Sequence, residues 1–362
     1  MRVGIIGTGN ISSAYLRASE RFPQIAMVAC ADLRLELARK RAAEFSLRAE
    51  DVEALLQDAE IDVVLNLTTP ASHVPINLAA LQAGKHVYSE KPFGTSLAQA
   101  RPVIDLAANT GLRVGSAPDT FLGAAYQTAR KLIDDGAIGQ PLGGWAFFLS
   151  SGPESWHPNP DFFYQPGAGP VFDMGPYYVT ALVSLFGPVR NVFSIARTAG
   201  IERVIGSGAR QGESFTTEVP TTVLGLLQFA SGPVIHVGMS FDAPLHEYVP
   251  IRLYGSEGAL ELPDPNWFGG NVRLARKGQN WKDVSPSHAY GDFNYRSLGL
   301  AEMITSIGQG RLHRASGELA FHVLEVLEKL TLPEAESSPV PLSTTCSQPR
   351  PLSGYSERPS LA

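Results

Sequence analysis

The stretch VYSEKPFG, residues 87–94, sets a lysine between a glutamate and a proline after a short β-like run. Lys91 there is either a solvated loop charge or a group that moves a proton. An ordinary lysine pKa of ~10.4 is too high for a base at neutral pH. Partial burial or a neighbouring positive charge would lower it, as general-base chemistry requires. A second candidate pair, Asp173 and Tyr177, stands four residues apart in GPVFDMGPYYVTAL. On a starting helix that spacing puts both side chains on one face. Taken alone, Asp173 reads equally as a helix N-cap and Tyr177 as a half-buried packing tyrosine.

A third feature is VGIIGTGNISSAY near the N-terminus. Gly7 suits a tight turn and Gly9 a close backbone approach, and Ser12 is small enough for helix and strand to pack. The helix that follows offers unpaired amides and a partial positive charge to a pyrophosphate. Gly7, Thr8, Gly9, Asn10 and Ile11 are therefore expected to hold a dinucleotide. Asp32 ends the second apolar run, where an acidic residue meets the adenosine ribose. It favours NAD over NADP. Arg34, two residues on, is either a partner for a 2′-phosphate or a solvated helix-start arginine, so NADP stays open.

These residues need elements to position them. Short apolar runs at 2–6, 25–31, 62–67, 86–88 and 113–115 predict strands. Between them, 10–22, 34–45, 52–56, 73–83 and 96–109 show the spacing of helices. Ser96 with Gln99 forms a capping box for the last, and Pro102 inside it predicts a kink. Alternating strands and helices mean a doubly wound parallel sheet, an α/β Rossmann domain over 1–119. Beyond it, a helix at 124–134 gives way to strand-like runs at 144–149, 189–196, 221–229, 234–241 and 251–254. LYGSEGALEL reads as two strands joined by a glycine turn. Helical patterns return at 298–307 and 318–330. This predicts an α+β domain over 120–332 with a large, mostly antiparallel open sheet. The Pro- and Ser-rich segment 333–362 reads as an extended or loosely packed tail.

Composition narrows the function classes. With 29 basic and 35 acidic residues the net charge is −6, and no long basic run points to nucleic acid. The two cysteines, Cys30 and Cys346, do not make a disulfide framework. No metal-ligand spacing is present. No apolar stretch reaches the ~18–20 residues that span a bilayer, and no secretory leader is evident. The expectation is a soluble, cytoplasmic protein without membrane or nucleic-acid partners and without a metal.

GIIGTGNIS, NLTTPASHVPINLAALQAGKHVYSEKPF and GGWAFF with GAGPVFDMGPYYVTALVSLFG carry a resemblance to the Gfo/Idh/MocA oxidoreductases, over roughly residues 1–330. The resemblance implies that Lys91 is the catalytic lysine, that Glu90 orients its loop and that the Lys91–Pro92 peptide is cis. It implies that Thr68, Thr69, Pro70 and His73 pass under the cofactor. It also makes Asp173 and Tyr177 site residues, Asp173 anchoring a hydroxyl or holding Lys91, and Tyr177 relaying the proton. The outer face of the second sheet would then serve a homodimer or homotetramer. Many members carry histidine where this chain has Tyr177, as the inositol dehydrogenases do. Tyrosine there resembles the glucose–fructose oxidoreductase and dihydrodiol dehydrogenase-like members.

The loop SWHPNPDFFYQPGAGP precedes Asp173. Aromatic faces beside hydrogen-bonding groups suit a sugar ring, so Trp156, His157 and Tyr164 are expected to touch substrate. The opposing readings are core plugs for Phe162 and Phe163 and a hydrogen-bonded loop histidine for His157. Asp119, just after the last Rossmann strand, is expected to reach the substrate. Tyr295 and Arg296 either line the pocket or lie at the surface. The function expected is hydride transfer between NAD(P) and a secondary hydroxyl or ketone of a sugar, glycoside or cyclitol. Two alternatives stand beside it: redox-neutral chemistry with a retained cofactor, and a regulatory protein that binds cofactor without turnover.

Overall fold

The computed structural model describes residues 1–245 and 247–353. Its first part alternates β1 (Arg2–Ile6), α1 (Asn10–Ser19), β2 (Ala26–Ala31), α2 (Leu35–Phe45), β3 (Arg48–Glu50), α3 (Val52–Gln57), β4 (Val63–Asn66), α4 (Pro70–Gln82), β5 (His86–Ser89), α5 (Leu97–Thr110) and β6 (Val114–Ser116). All pairings are parallel, in the order β3-β2-β1-β4-β5-β6. The order reverses between β1 and β4, the crevice where open α/β sheets take their ligands. Both faces are covered, so β4 is buried at every position, as its run of Val63, Val64 and Leu65 anticipates.

Local chemistry sets most boundaries. Ser96 Oγ accepts from Gln99 N at 3.3 Å and starts α5, while the Gln99 side chain takes the Thr95 hydroxyl. Pro102 sits inside α5, which runs unbroken from Leu97 to Thr110. The short β3 had no legible signal. Arg48-Ala49-Glu50 is polar, and pairing with the edge of β2 makes it a strand.

The chain continues through α6 (Ala124–Asp134), β7 (Pro141–Leu149), α7 (Gly169–Asp173), α8 (Gly175–Phe186), β8 (Val189–Arg197), β9 (Glu202–Val204), β10 (Ser214–Thr216), β11 (Thr222–Phe229), β12 (Val234–Ser240), β13 (Ile251–Gly255), β14 (Gly258–Leu262), β15 (Val272–Arg276), β16 (Lys282–Val284), α9 (Leu298–Gly308), α10 (Gly317–Leu330) and β17 (Val340–Pro341). Nine strands form one sheet, β16-β15-β14-β13-β7-β12-β11-β8-β17. Among the described residues only its β7–β12 pair is parallel. Helix α10 packs on β8 and α8 of this layer and on α5 and β6 of the first. Helix α9 packs on β6 and α1. These late helices fix the two sheets against each other. No helix among the described residues is long and apolar enough to cross a membrane.

The described part of the tail is extended and tied to the body at several points. β17 adds to the edge of β8. The buried Glu325 carboxylate accepts from Ser343 N, Ser343 Oγ and Thr344 N at 2.7–2.8 Å. Leu352 is buried, and its amide donates to Gln127 Oε1 at 2.7 Å. Residues 354–362 lie outside the described residues. Glu325→Ala should therefore lower the unfolding free energy by about 2–3 kcal/mol, since three hydrogen bonds to a buried charged group are lost. Urea denaturation measures this, and an unchanged midpoint would contradict the anchoring.

Candidate active site

Three loops leave the carboxyl ends of β1, β4 and β5 side by side. The first is Gly7 to Ile11. Gly7 has φ +99°, and a Cβ there would lie 2.6 Å from the Leu67 carbonyl, so only glycine fits. At Gly9 a Cβ would meet nothing within 4 Å, so the loop opens to space over the start of α1. No side chain caps that helix, and Asn10 and Ile11 begin it with their amides free for an anion. Ser12 is fully buried where a small residue is needed. This cradle fits the pyrophosphate of a dinucleotide.

Asp32 follows β2 beside it. Its Oδ2 accepts from Thr8 N and Thr8 Oγ1, both at 2.9 Å, and its Oδ1 accepts from Arg34 N at 3.1 Å. Burial pushes the carboxyl up, but these hydrogen bonds outweigh it and hold the pKa below the usual value. A fixed anion with spare lone pairs thus stands beside the cradle. The Arg34 side chain is exposed.

The second loop, Thr68 to Pro70, opens α4. Asn66 governs it, a residue that sequence reasoning passed over. Asn66 Nδ2 donates to His73 O and Asn77 Oδ1, and its Oδ1 accepts from Thr68 N and Thr68 Oγ1. His73 joins this loop to the third. Its Nδ1 lies 2.7 Å from Pro92 O and its Nε2 3.0 Å from Thr68 O. Burial pulls its pKa down against those two carbonyls. Thr69 is exposed and Pro70 half-buried at the first helical position.

The third loop carries Lys91, and the Lys91–Pro92 peptide is cis. Glu90 Oε2 accepts from Lys91 N at 2.8 Å, and Glu90 Oε1 accepts from the buried Tyr15 hydroxyl at 2.7 Å. Tyr15 belongs to α1, so the nucleotide-loop helix also fixes the lysine loop. Lys91 Nζ then crosses to the second layer. It donates to Asp173 Oδ1 at 2.8 Å and to Asp173 O at 2.7 Å, and stands 5.2 Å from the Tyr177 ring centroid. The two charged side chains are only 16% and 26% exposed.

Two expectations change here. Burial pulls the Lys91 ammonium pKa down, but the charges of Asp173, Tyr177 and Glu90 and the Asp173 hydrogen bond outweigh it, and the net shift is upward. The carboxylate supplied by the fold holds the proton on. Asp173 is also not an N-cap. It ends α7, and the helix is interrupted at Met174, which stands at the N-cap of α8 without a side-chain bond. Tyr177 is buried, and burial raises its phenol pKa against the opposing pull of Lys91 and Arg296.

The outer candidates divide. Trp156 is 64% exposed and meets the His157 ring edge-on, and His157 in turn packs edge-on against Phe162 and Phe163. His157 Nδ1 accepts from Asn159 N at 3.1 Å, the hydrogen-bonded loop histidine of the second reading. Phe162 is 50% exposed and is no core plug. Tyr164 is a correction. It is fully buried, its hydroxyl donates to Glu154, and its ring lies 5.2 Å from the Arg203 guanidinium. Its ring packs against Phe215 and Phe241.

Asp119 is a correction too. It is fully buried, and its Oδ2 accepts from Gly299 N at 2.8 Å and Ser297 N at 3.4 Å, capping the start of α9.

Residues 1–117 match the family described as "Oxidoreductase family, NAD-binding Rossmann fold", and residues 126–261 match the "GFO/IDH/MocA C-terminal domain". The chain belongs to the Gfo/Idh/MocA family of oxidoreductases, and its first sheet is that family's NAD-binding domain. It is 24% identical to levoglucosan dehydrogenase of Pseudarthrobacter phenanthrenivorans over 324 residues, 81% of this chain and 82% of that one. It is 26% identical to trans-1,2-dihydrobenzene-1,2-diol dehydrogenase of Bos taurus over 339 residues, 91% and 89% of the two chains. A levoglucosan dehydrogenase solved with NADH and L-sorbose shares the fold, with a TM-score of 0.82 at 21% identity over 95% of this chain and 99% of that one.

Burial pushes the Asp119 carboxyl up to about 6, against the Gly299 amide, the Arg296 charge and the Ser297 amide. An acid whose pKa rises on folding binds its proton more tightly folded, so its contribution is best below ~3.9 and is lost as pH climbs toward about 6. Asp119→Asn should remove that downward slope. Across this window the wild type should lose up to about 3 kcal/mol relative to the variant in urea unfolding. Parallel stability curves would contradict the assignment.

Proposed function

We propose that this chain transfers a hydride between NAD and a secondary hydroxyl or ketone of a sugar, glycoside or cyclitol, with Lys91 and Tyr177 handling the proton. The observation that carries the reading is the position of Lys91. It follows the end of β5, an interior strand near the nucleotide cradle, and meets Asp173 and Tyr177 from the second layer. Gly7, Thr8, Gly9, Asn10 and Ile11 hold the pyrophosphate, and Asp32 takes the ribose hydroxyls. Thr68, Thr69, Pro70, His73 and Glu90 shape the floor on which the nicotinamide rests. Bound NAD supplies the hydride acceptor.

The residues of the chain supply the rest. Lys91, held protonated by Asp173, donates a hydrogen bond to the reacting oxygen. Tyr177 beside it takes or returns the proton of that oxygen. Asp173 fixes the ammonium and offers an acceptor to a neighbouring hydroxyl. Trp156 and His157 offer an exposed aromatic edge to a ring with C–H and hydroxyl faces. Levoglucosan and dihydrobenzenediol, named for the two relatives, are both cyclic compounds with adjacent hydroxyls.

The test is NADH formation from NAD with pooled aldoses, glycosides and cyclitols, with Lys91→Ala alongside. One pool should give a rise, and Lys91→Ala should lower it roughly a thousandfold while NAD still binds. Normal turnover in the variant would sink the role of Lys91. Silence from every pool, with substrate consumed, would replace the dehydrogenase by redox-neutral chemistry.

The free face of the nine-stranded sheet supports self-association. Ile195, Leu224, Gly238 and Phe147 form a row across β8, β11, β12 and β7, and Leu224 and Ile195 are 47% and 44% exposed. Leu226, Val234 and Tyr254 extend the apolar exposure. A patch of this kind on a regular sheet is covered by a second copy in a homodimer or homotetramer. Light scattering should give at least twice the 38.8 kDa chain mass, and Leu224→Glu should return it to one chain. A monomeric wild type would refute this.

A further inference from the structure

Tyr177 has a second cation beside it. Arg296 Cζ lies 5.5 Å from the Tyr177 ring centroid, close to the 5.2 Å of Lys91 Nζ. Arg296 precedes α9 and is only 8% exposed. Its Nη2 donates to Asn266 Oδ1 at 2.7 Å, and its Nη1 is buried with no hydrogen-bond partner among the described residues. A buried guanidinium donor without an acceptor is costly. Arginine also keeps its charge at every working pH.

The charged groups facing Tyr177 are Lys91 and Arg296 on the positive side and Glu90 and Asp173 on the negative. The Lys91 charge is tied to Asp173 by a direct ion pair. Arg296 bonds directly only to the neutral Asn266 amide, and the Glu90 and Asp119 carboxylates act on it without a direct ion pair, so its charge is not tied to a single carboxylate as that of Lys91 is.

We infer that Arg296 is a positioning residue for the reaction: its buried guanidinium flanks the Tyr177 ring with a fixed positive charge and favours the phenolate that accepts the substrate's hydroxyl proton. In the oxidation, the substrate O–H bond breaks and its proton goes to the Tyr177 oxygen. The C–H electron pair leaves with its hydrogen as hydride for NAD, and the C=O bond forms. The reduction runs the same bonds backward. This inference rests on the proton role proposed for Tyr177.

The experiment needs no substrate. The full chain with NAD bound is labelled at the tyrosine rings and titrated by carbon NMR, with Tyr177→Phe identifying the Tyr177 resonance. Arg296→Met should move the Tyr177 midpoint upward by about one pH unit or more, the effect of removing an opposite charge within ~4–6 Å. Arg296→Lys should restore most of the shift. Thermal melting and NAD binding report whether each variant folds. Arg296→Gln, which keeps a donor for Asn266, carries the same comparison if the methionine variant does not fold. Equal midpoints in wild type and charge-free variant would overturn the inference. So would a wild-type phenol that keeps its proton until alkaline unfolding. Turnover that survives Tyr177→Phe would instead sink the proton role itself, a separate outcome.

Discussion

A lysine ammonium taken out of water needs an acceptor, and Lys91 finds one only across the joint between two sheets. Its backbone belongs to a loop after β5, and its carboxylate partner ends α7 in the second layer. Removing one member of such a pair leaves the other charge poorly solvated. The pair therefore constrains both layers at once. It sets the height of the β5 loop over the nucleotide cradle, and it sets where α8, and with it Tyr177, begins.

The rest of the site reads as support for that contact. Tyr15 reaches from α1 to Glu90, Glu90 holds the amide of Lys91, and His73 ties the loop after β4 to Pro92. Hydrogen bonds of 2.7–3.0 Å thus tie α1 and the loop after β4 to the loop that carries Lys91. Asp119 does the same for the second layer, fixing the start of α9 and so the position of Arg296 one residue before Ser297. The helices α9 and α10, last in sequence, pack back on the first sheet and keep these distances.

Much of this was legible in the sequence where local pattern carries the information. The strand–helix alternation, the glycine turn at Gly7 and the Ser96 cap depend on neighbours a few residues away. Asn66 was missed because Thr68, His73 and Asn77 converge on it only once the chain turns from β4 into α4, and Tyr15 because its partner Glu90 lies far along the chain. Asn66 looks like a strand end until its four hydrogen bonds are seen, and Tyr15 looks like one more apolar position on a helix. Tyr164 and Asp119 carried the right chemistry for a ligand contact, yet packing turned both inward. The polar strand β3 and the packed tail owe their form to partners far along the chain.

The sequence by itself determined the parallel sheet, the nucleotide loop, and the presence of a lysine, an aspartate and a tyrosine of the right kind. Periodicity, turn chemistry and motif spacing are local, so they survive without a structure. Only the tertiary structure decided which charges meet. It gave Lys91 a carboxylate that raises its pKa where burial alone would lower it. It buried Asp119 and Tyr164, and it set Arg296 beside Tyr177. A pKa and a hydrogen bond depend on distance and dielectric, and those are properties of packed space that residue order does not contain.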